Sequence, residues 1–171
     1  MDLIFHKTEY EYYTNIDIDG DDSRMILDTG SPVTTISIPS LLQITGEPMF
    51  AFRKKADAFM QNYETLSLGS YGSHKDDKND FIPYLVKDIR IGDIVFPYFM
   101  FWVDVTYLNS KSPVPTPILF GYDYIKQGKK RFDDDDNFHI AFDEIKADTF
   151  SVKYAMSNVC DGINEIKSLV V

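Results

Sequence analysis

Met25-Ile26-Leu27-Asp28-Thr29-Gly30-Ser31 decides how the rest of this 171-residue chain is read. Three apolar residues deliver a carboxylate into a Thr-Gly turn. An ionised carboxylate beside buried apolar groups loses hydration, so hydrogen bonds must replace the lost water or its protonation must change. The placement is costly without a purpose. The tripeptide Asp28-Thr29-Gly30 occurs once in the chain.

Upstream of it, Ile16 and Ile18 alternate with Asn15, Asp17 and Asp19, the period of a half-exposed strand over 10–19. Asp19-Gly20-Asp21-Asp22-Ser23 reads as a turn, and 24–27 as the returning strand of a hairpin that ends at Asp28. Downstream, the β-branched run 33–38 reads as strand. Pro39 near the start and Gly46 after the end mark one or two helical turns over 39–44. Met49, Phe52, Ala56, Phe59 and Met60 fall at helical spacing over 49–60.

The stretch 66–80 carries Gly69, Gly72 and the polar run Ser73-His74-Lys75-Asp76-Asp77-Lys78-Asn79-Asp80, which predicts an exposed loop or hairpin tip. Residues 81–86 and 88–96 read as strands around a turn at Gly92-Asp93, and 98–107 as a strand buried on both faces. Pro113, Pro115 and Pro117 keep 112–117 extended. Ile118-Leu119-Phe120 is a short buried strand ending at Gly121, and 122–127 a short helix stopped by Gly128. A charged loop is expected over 129–137, a hairpin from 138–142 and 149–154, and either helix or edge strand in 155–171.

This order of elements resembles the retropepsin-like aspartic peptidases, the single-lobed relatives of the pepsins. Ile26-Leu27-Asp28-Thr29-Gly30-Ser31 matches the family's catalytic loop, and a Gly-containing segment near Tyr71-Gly72, within 66–86, its flap. Ile89-Arg90-Ile91-Gly92-Asp93 with 99–103 looks like the strand pair after the flap. Ile118-Leu119-Phe120-Gly121-Tyr122-Asp123 matches the hydrophobic-hydrophobic-Gly segment leading into the family's helix. Phe138-His139-Ile140-Ala141-Phe142-Asp143 fits its closing hairpin. The resemblance covers residues 10–155. It implies an all-β, acid-protease-like closed barrel lobe with one or two short helices, forming a two-fold dimer. Residues 1–171 would be one such domain, with the 156–171 tail available for dimer contacts.

The function implied is an aspartic endopeptidase in which Asp28 from each of two protomers shares a proton and activates a water. Thr29 would turn its hydroxyl inward to brace the two loops across the dimer. Gly30 would permit close approach of backbone and carboxylate. The Ser31 hydroxyl would donate to the outer oxygen of Asp28, favour the ionised form and extend activity into acid. Tyr71 and Gly72 would contact substrate from the flap, and Leu119, Phe120 and Gly121 would form the structural loop facing the site. The substrate expected is an extended peptide or protein segment with large apolar side chains around the scissile bond, and no metal or other cofactor is called for. A second reading keeps the same fold as a non-catalytic, dimeric peptide-binding module.

Bulk properties narrow the alternatives. A net charge of -10 argues against a nucleic-acid partner and against anionic membrane surfaces. Abundant Tyr and Phe favour sheet. The apolar run 94–103 is about half the length that a membrane-spanning helix needs. Cys160 is the only cysteine, so no intrachain disulfide is possible. Met1-Asp2-Leu3-Ile4-Phe5-His6-Lys7 does not read as a signal peptide, so a cytoplasmic protein is expected.

Asp133, Asp135, Asn137 and Glu144 sit at EF-hand spacing, but Phe138 stands where the calcium loop needs glycine, and a solvated acidic loop is the better account. His6, His74 and His139 are too scattered to suggest a metal site. The apolar ends Leu3-Ile4-Phe5 and Leu169-Val170-Val171 either interleave between protomers, as in retroviral relatives, or serve within one chain.

Overall fold

The structure is a computed structural model that describes residues 1–18, 21–69, 78–109 and 116–143. Its elements follow in the order β1 (Asp2–Lys7), β2 (Tyr12–Ile18), β3 (Asp21–Leu27), β4 (Thr35–Ser37), α1 (Ile38–Thr45), α2 (Met49–Asn62), β5 (Leu66–Gly69), β6 (Lys78–Ile91), β7 (Ile94–Asp104), β8 (Ile118–Phe120), α3 (Tyr122–Ile125), β9 (Lys129–Phe132) and β10 (Phe138–Ala141).

Six of the strands close into a barrel. The β2–β3 hairpin sets Tyr13 opposite Ile26, as the alternation around Ile16 and Ile18 requires. β3 then runs parallel to β8, which meets β4 at Thr35 and Leu119. β4 runs parallel to β7, and β7 pairs antiparallel with β6. Ile91 on β6 returns to Ile16 on β2 and completes the circuit. The interior is aromatic. Phe99 stacks on Tyr124 with ring centroids 4.2 Å apart, and Phe120 lies 5.1 Å from Phe5. Phe99 through Val103 are all buried, as expected for a strand covered on both faces.

Helix α1 has the signals the sequence carries. Ser37 Oγ accepts from Ser40 N at 3.4 Å, Pro39 sits in the first turn, and Gly46 closes the helix at φ 67 with its N–H on Leu42 O. Helix α2 buries Phe52, Ala56 and Phe59, one side of the spacing seen in the sequence. With α3, the described residues hold three helices rather than one or two, α2 being a full 14 residues. Phe52 packs 5.6 Å from Tyr84 of β6, so α2 lies against that strand.

Several boundaries differ from expectation, each for a reason in the pairing. β4 is only 35–37, because Ile38 already begins α1. β7 starts at Ile94, directly after the Gly92-Asp93 turn with Gly92 at φ 58, so 94–96 and 98–104 form one strand. Pro97 is tolerated inside it because the ladder steps from Lys87–Tyr98 to Ile89–Phe96, and Asp88 takes φ 50 at the omitted rung.

The charged segment 129–137 is not all loop. Lys129–Phe132 forms β9 and pairs with β10; 149–154, the expected partner of 138–142, lies outside the described residues. The other side of β10 takes β1, with Leu3 opposite Ile140. Leu3 and Phe5 are fully buried there, so the N-terminal apolar segment is an intrachain strand. Residues 156–171, Leu169 to Val171 among them, and Cys160 are outside the described residues.

Candidate functional site

Asp28 leaves the end of β3 half-buried at the floor of a cleft of about 770 Å³. Its main chain is fixed first. Asp28 N donates to Phe120 O at 3.0 Å, continuing the β3–β8 ladder, and Ser31 N donates to Asp28 O at 3.2 Å, closing the turn. Its side chain is fixed next, as Oδ1 accepts from Gly30 N at 2.9 Å. Among the described residues Oδ2 has no hydrogen-bond partner. A Cβ on residue 30 would lie 3.3 Å from Asp28 Oδ1, so glycine keeps this approach uncrowded.

The loop is braced from behind by the segment after β8. Tyr122 N donates to Ser31 O at 2.8 Å and Asp123 N to Pro32 O at 3.2 Å. Thr34 Oγ1 accepts from Gly121 N at 3.0 Å and donates to Asp123 Oδ1 at 2.8 Å. The two segments cross so closely that a Cβ at Gly121 would fall 2.2 Å from Val33 O. Only glycine permits that crossing without moving backbone, which is the physical content of the hydrophobic-hydrophobic-Gly pattern. Thr34 and Asp123 were not singled out from sequence. The usable signal was a polar side chain inside each of two apolar runs, since such groups stay buried only when they are paired.

Each expected residue has a definite place. Gly30 and Ser31 line the cleft beside Asp28, and Leu119 lines it from β8. Phe120 and Gly121 are buried behind Leu119 and do not face the cleft. Thr29 is exposed on the single chain. Ser31 differs from expectation. Its hydroxyl donates to Val33 O at 2.6 Å, not to Asp28. A hydroxyl has one proton to donate, and the carbonyl two residues ahead takes it. Tyr71 and Gly72 lie outside the described residues. The arms of their hairpin do not. Leu66–Gly69 pairs with Lys78–Phe81, and Leu68, Gly69, Asn79 and Phe81 form one wall of the cleft.

Away from the cleft, the acidic turn 133–137 is held by Asp133. Its Oδ1 accepts from Asp135 N and Asn137 N at 2.9 Å, and its Oδ2 lies 2.7 Å from His139 Nε2. The His139 hydrogen bond, joined by those from Asn137 and Asp135, holds the Asp133 carboxyl at about 2 against an opposing effect of burial. Asp133 thus serves the turn's own donors. No group of three or more metal-ligating side chains occurs among the described residues, nor any helix long and apolar enough to cross a membrane.

No family model matches the chain, and no curated protein matches it. Among solved structures, a crystal structure of a retropepsin-like aspartic protease from Rickettsia conorii is similar, with a TM-score of 0.50, 14% identity, and coverage of 83% of this chain and 91% of that one. At this identity the likeness concerns the fold: an all-β, retropepsin-like barrel.

Proposed function

With a retropepsin-like fold as the premise, we propose that this chain is an aspartic-type endopeptidase, active as a homodimer with Asp28 of each protomer at the two-fold axis. The observation that carries the reading is the state of Asp28. One oxygen is held by Gly30 N, the other has no partner among the described residues, and both belong to a cleft walled on one side by the arms of the β5–β6 hairpin. A group of that kind is positioned for work and not consumed by its own turn.

Two carboxylates brought together in this way share one proton, because both cannot ionise at close range. The ionised member removes a proton from a water as that water's oxygen attacks the peptide carbonyl carbon. The protonated member gives its proton to the carbonyl oxygen. Collapse of the tetrahedral species breaks the C–N bond, with a proton delivered to the leaving nitrogen. The β5–β6 hairpin supplies backbone edges along which an extended peptide can add as a strand.

The test compares the wild type with Asp28→Asn on a peptide library from about pH 3 to about pH 7, a range that spans the upper titration step of a proton-sharing carboxylate pair, with cleavages read by mass spectrometry. Asn retains an oxygen for Gly30 N, so the variant should fold. Cleavage by the wild type alone is the expected result. Equal cleavage by both removes Asp28 as the catalyst, and silence from both, with folded protein, favours a peptide-binding module. Sedimentation of the wild type across concentrations tests the dimer.

A further inference from the structure

The cleft contains a second carboxylate. Asp104, the last residue of β7, lines it together with Asp28, and the register puts Asp104 between Phe81 of β6 and Ser37 of β4. It is half-buried, so its charge is poorly screened by water. Among the described residues its oxygens are oriented by neutral donors. Oδ1 accepts from Thr106 N at 3.0 Å and Thr106 Oγ1 at 2.6 Å, and Oδ2 accepts from Asn79 Nδ2 at 3.2 Å. No ion pair to Asp104 occurs among the described residues. The described lining of the cleft contains no Lys, Arg or His. Ile36, Leu68, Phe81 and Leu119 supply an apolar surround.

We propose that Asp104 is a specificity-determining residue, giving the cleft a subsite for a Lys or Arg side chain next to apolar substrate residues. The proposal rests on the reading of the cleft as a peptide site. A long cationic side chain suits the geometry on both counts. Its methylene stem packs against the apolar wall while its head meets a fixed anion that has no counter-ion among the described residues. The two neutral anchors hold the carboxylate in one orientation without cancelling its charge, so a cation meets a preorganised partner. The bland alternative is that Asp104 only ties the Asp104–Thr106 turn, a common use of aspartate. That alternative gives no preference among ligands.

The test uses three peptides with the same apolar flanks and Lys, norleucine or Glu at one varied position, scanned along the peptide. Cleavage efficiency is measured with the wild type, and affinity by fluorescence anisotropy with Asp28→Asn, which prevents turnover and removes the other carboxylate. At the position facing Asp104, Lys is expected to be favoured over norleucine by about tenfold, as a charge-assisted contact provides, with Glu the poorest. Adding Asp104→Asn should bring Lys and norleucine to within about twofold, and Asp104→Lys should favour Glu. Asn keeps an acceptor for Thr106, and Asn79 can turn its amide to meet the new amide group.

Equal handling of Lys and norleucine by both proteins overturns the proposal without using any Asp104 variant. A Lys preference that survives Asp104→Asn overturns it as well. Cleavage without a charge preference leaves the peptidase reading standing and removes this one. A preference in binding that depends on Asp104, without cleavage by the wild type, upholds the subsite and removes the peptidase reading.

Discussion

Thr34 donates its hydroxyl to Asp123 Oδ1 at 2.8 Å while both side chains are buried, tying the loop that holds Asp28 to the start of α3. The same oxygen accepts from Gly121 N, so one hydroxyl serves two partners across the crossing. Thr34→Val keeps the shape and deletes both bonds. It should cost about 3 kcal/mol, since a buried carboxylate and a buried N–H each lose a partner, or roughly 10 °C in Tm for a chain of this size. Thr34→Ser should recover most of the loss. Thermal unfolding of the three proteins checks the order.

Ser31→Ala should leave the pH dependence of cleavage unchanged, because the hydroxyl is engaged with Val33 O and not with Asp28. A loss of about 1 kcal/mol in stability is expected from the missing bond. Measuring the pH–rate profile beside an unfolding curve separates the two effects. A profile that shifts toward neutral would restore the Asp28 contact expected from sequence.

Legibility followed the kind of interaction that fixes each feature. Local chemistry was readable. The Asp28 turn, the cap-to-cap limits of α1 and the α2 spacing depend on residues close in sequence. Pairing was less readable. Lys129 to Phe132 are all exposed, so no burial alternation marks β9, and its strand identity comes from β10 across the turn. The Ser31 partner was missed because a hydroxyl chooses among nearby acceptors by geometry. Thr34 and Asp123 were missed because their bond joins residues 89 apart in sequence. Asp104 was hidden at the end of an apolar strand, and only the closing of the barrel brings it to the same cleft as Asp28.

Asp133 should make stability fall in acid. Its carboxyl is lowered from an ordinary 3.8 to about 2, chiefly by His139. A depressed carboxylate stabilises the fold above its unfolded value, and that contribution disappears as the pH drops from about 4 through about 2. Asp2 acts in the same direction, lowered by Arg131 and then His139. The groups facing this turn are Arg131 on β9, Asp2 on β1, His139 on β10 and the Lys7–Asp136 pair. Asp133→Asn should therefore flatten the acid limb of a stability–pH curve measured by urea unfolding, with a smaller difference from wild type at pH 2 than at pH 5.

Tyr84→Phe should destabilise by about 2 kcal/mol. The Tyr84 hydroxyl donates to Glu47 Oε2, and Glu47 Oε1 pairs with Lys55 Nζ at 3.0 Å. Burial, then the Glu47 carboxylate, push the Tyr84 phenol well above its ordinary 10.0. The folded state therefore keeps this proton at a pH where the unfolded chain releases it, so this residue's contribution falls as pH rises above about 10. That share of the alkaline loss should be missing from the Phe variant. Adding Glu47→Gln should give a non-additive pair in a double-mutant cycle, because the two side chains touch.

Pro83 gives β6 a change of mechanical character partway along its length. Trp102, its partner on β7, sends its N–H to Thr34 O, away from β6, so Pro83 faces β7 at a rung where no N–H is required. Its own nitrogen points to the other side, where a further rung of β5 would need a donor. β5 accordingly stops at Leu66 opposite Phe81. From Phe81 outward the strand pairs with β5 for four rungs, while its pairing with β7 begins at Phe81 and runs inward to Ile91, which also meets Ile16 of the barrel wall. Pro83 thus stands where pairing with β5 has ended and pairing with β7 continues, and the root of the arm that walls the cleft is built into the barrel. The arm is rooted at the rung that pairs Phe81 with Asp104, so a load on its substrate side is borne by the same wall that carries Asp104.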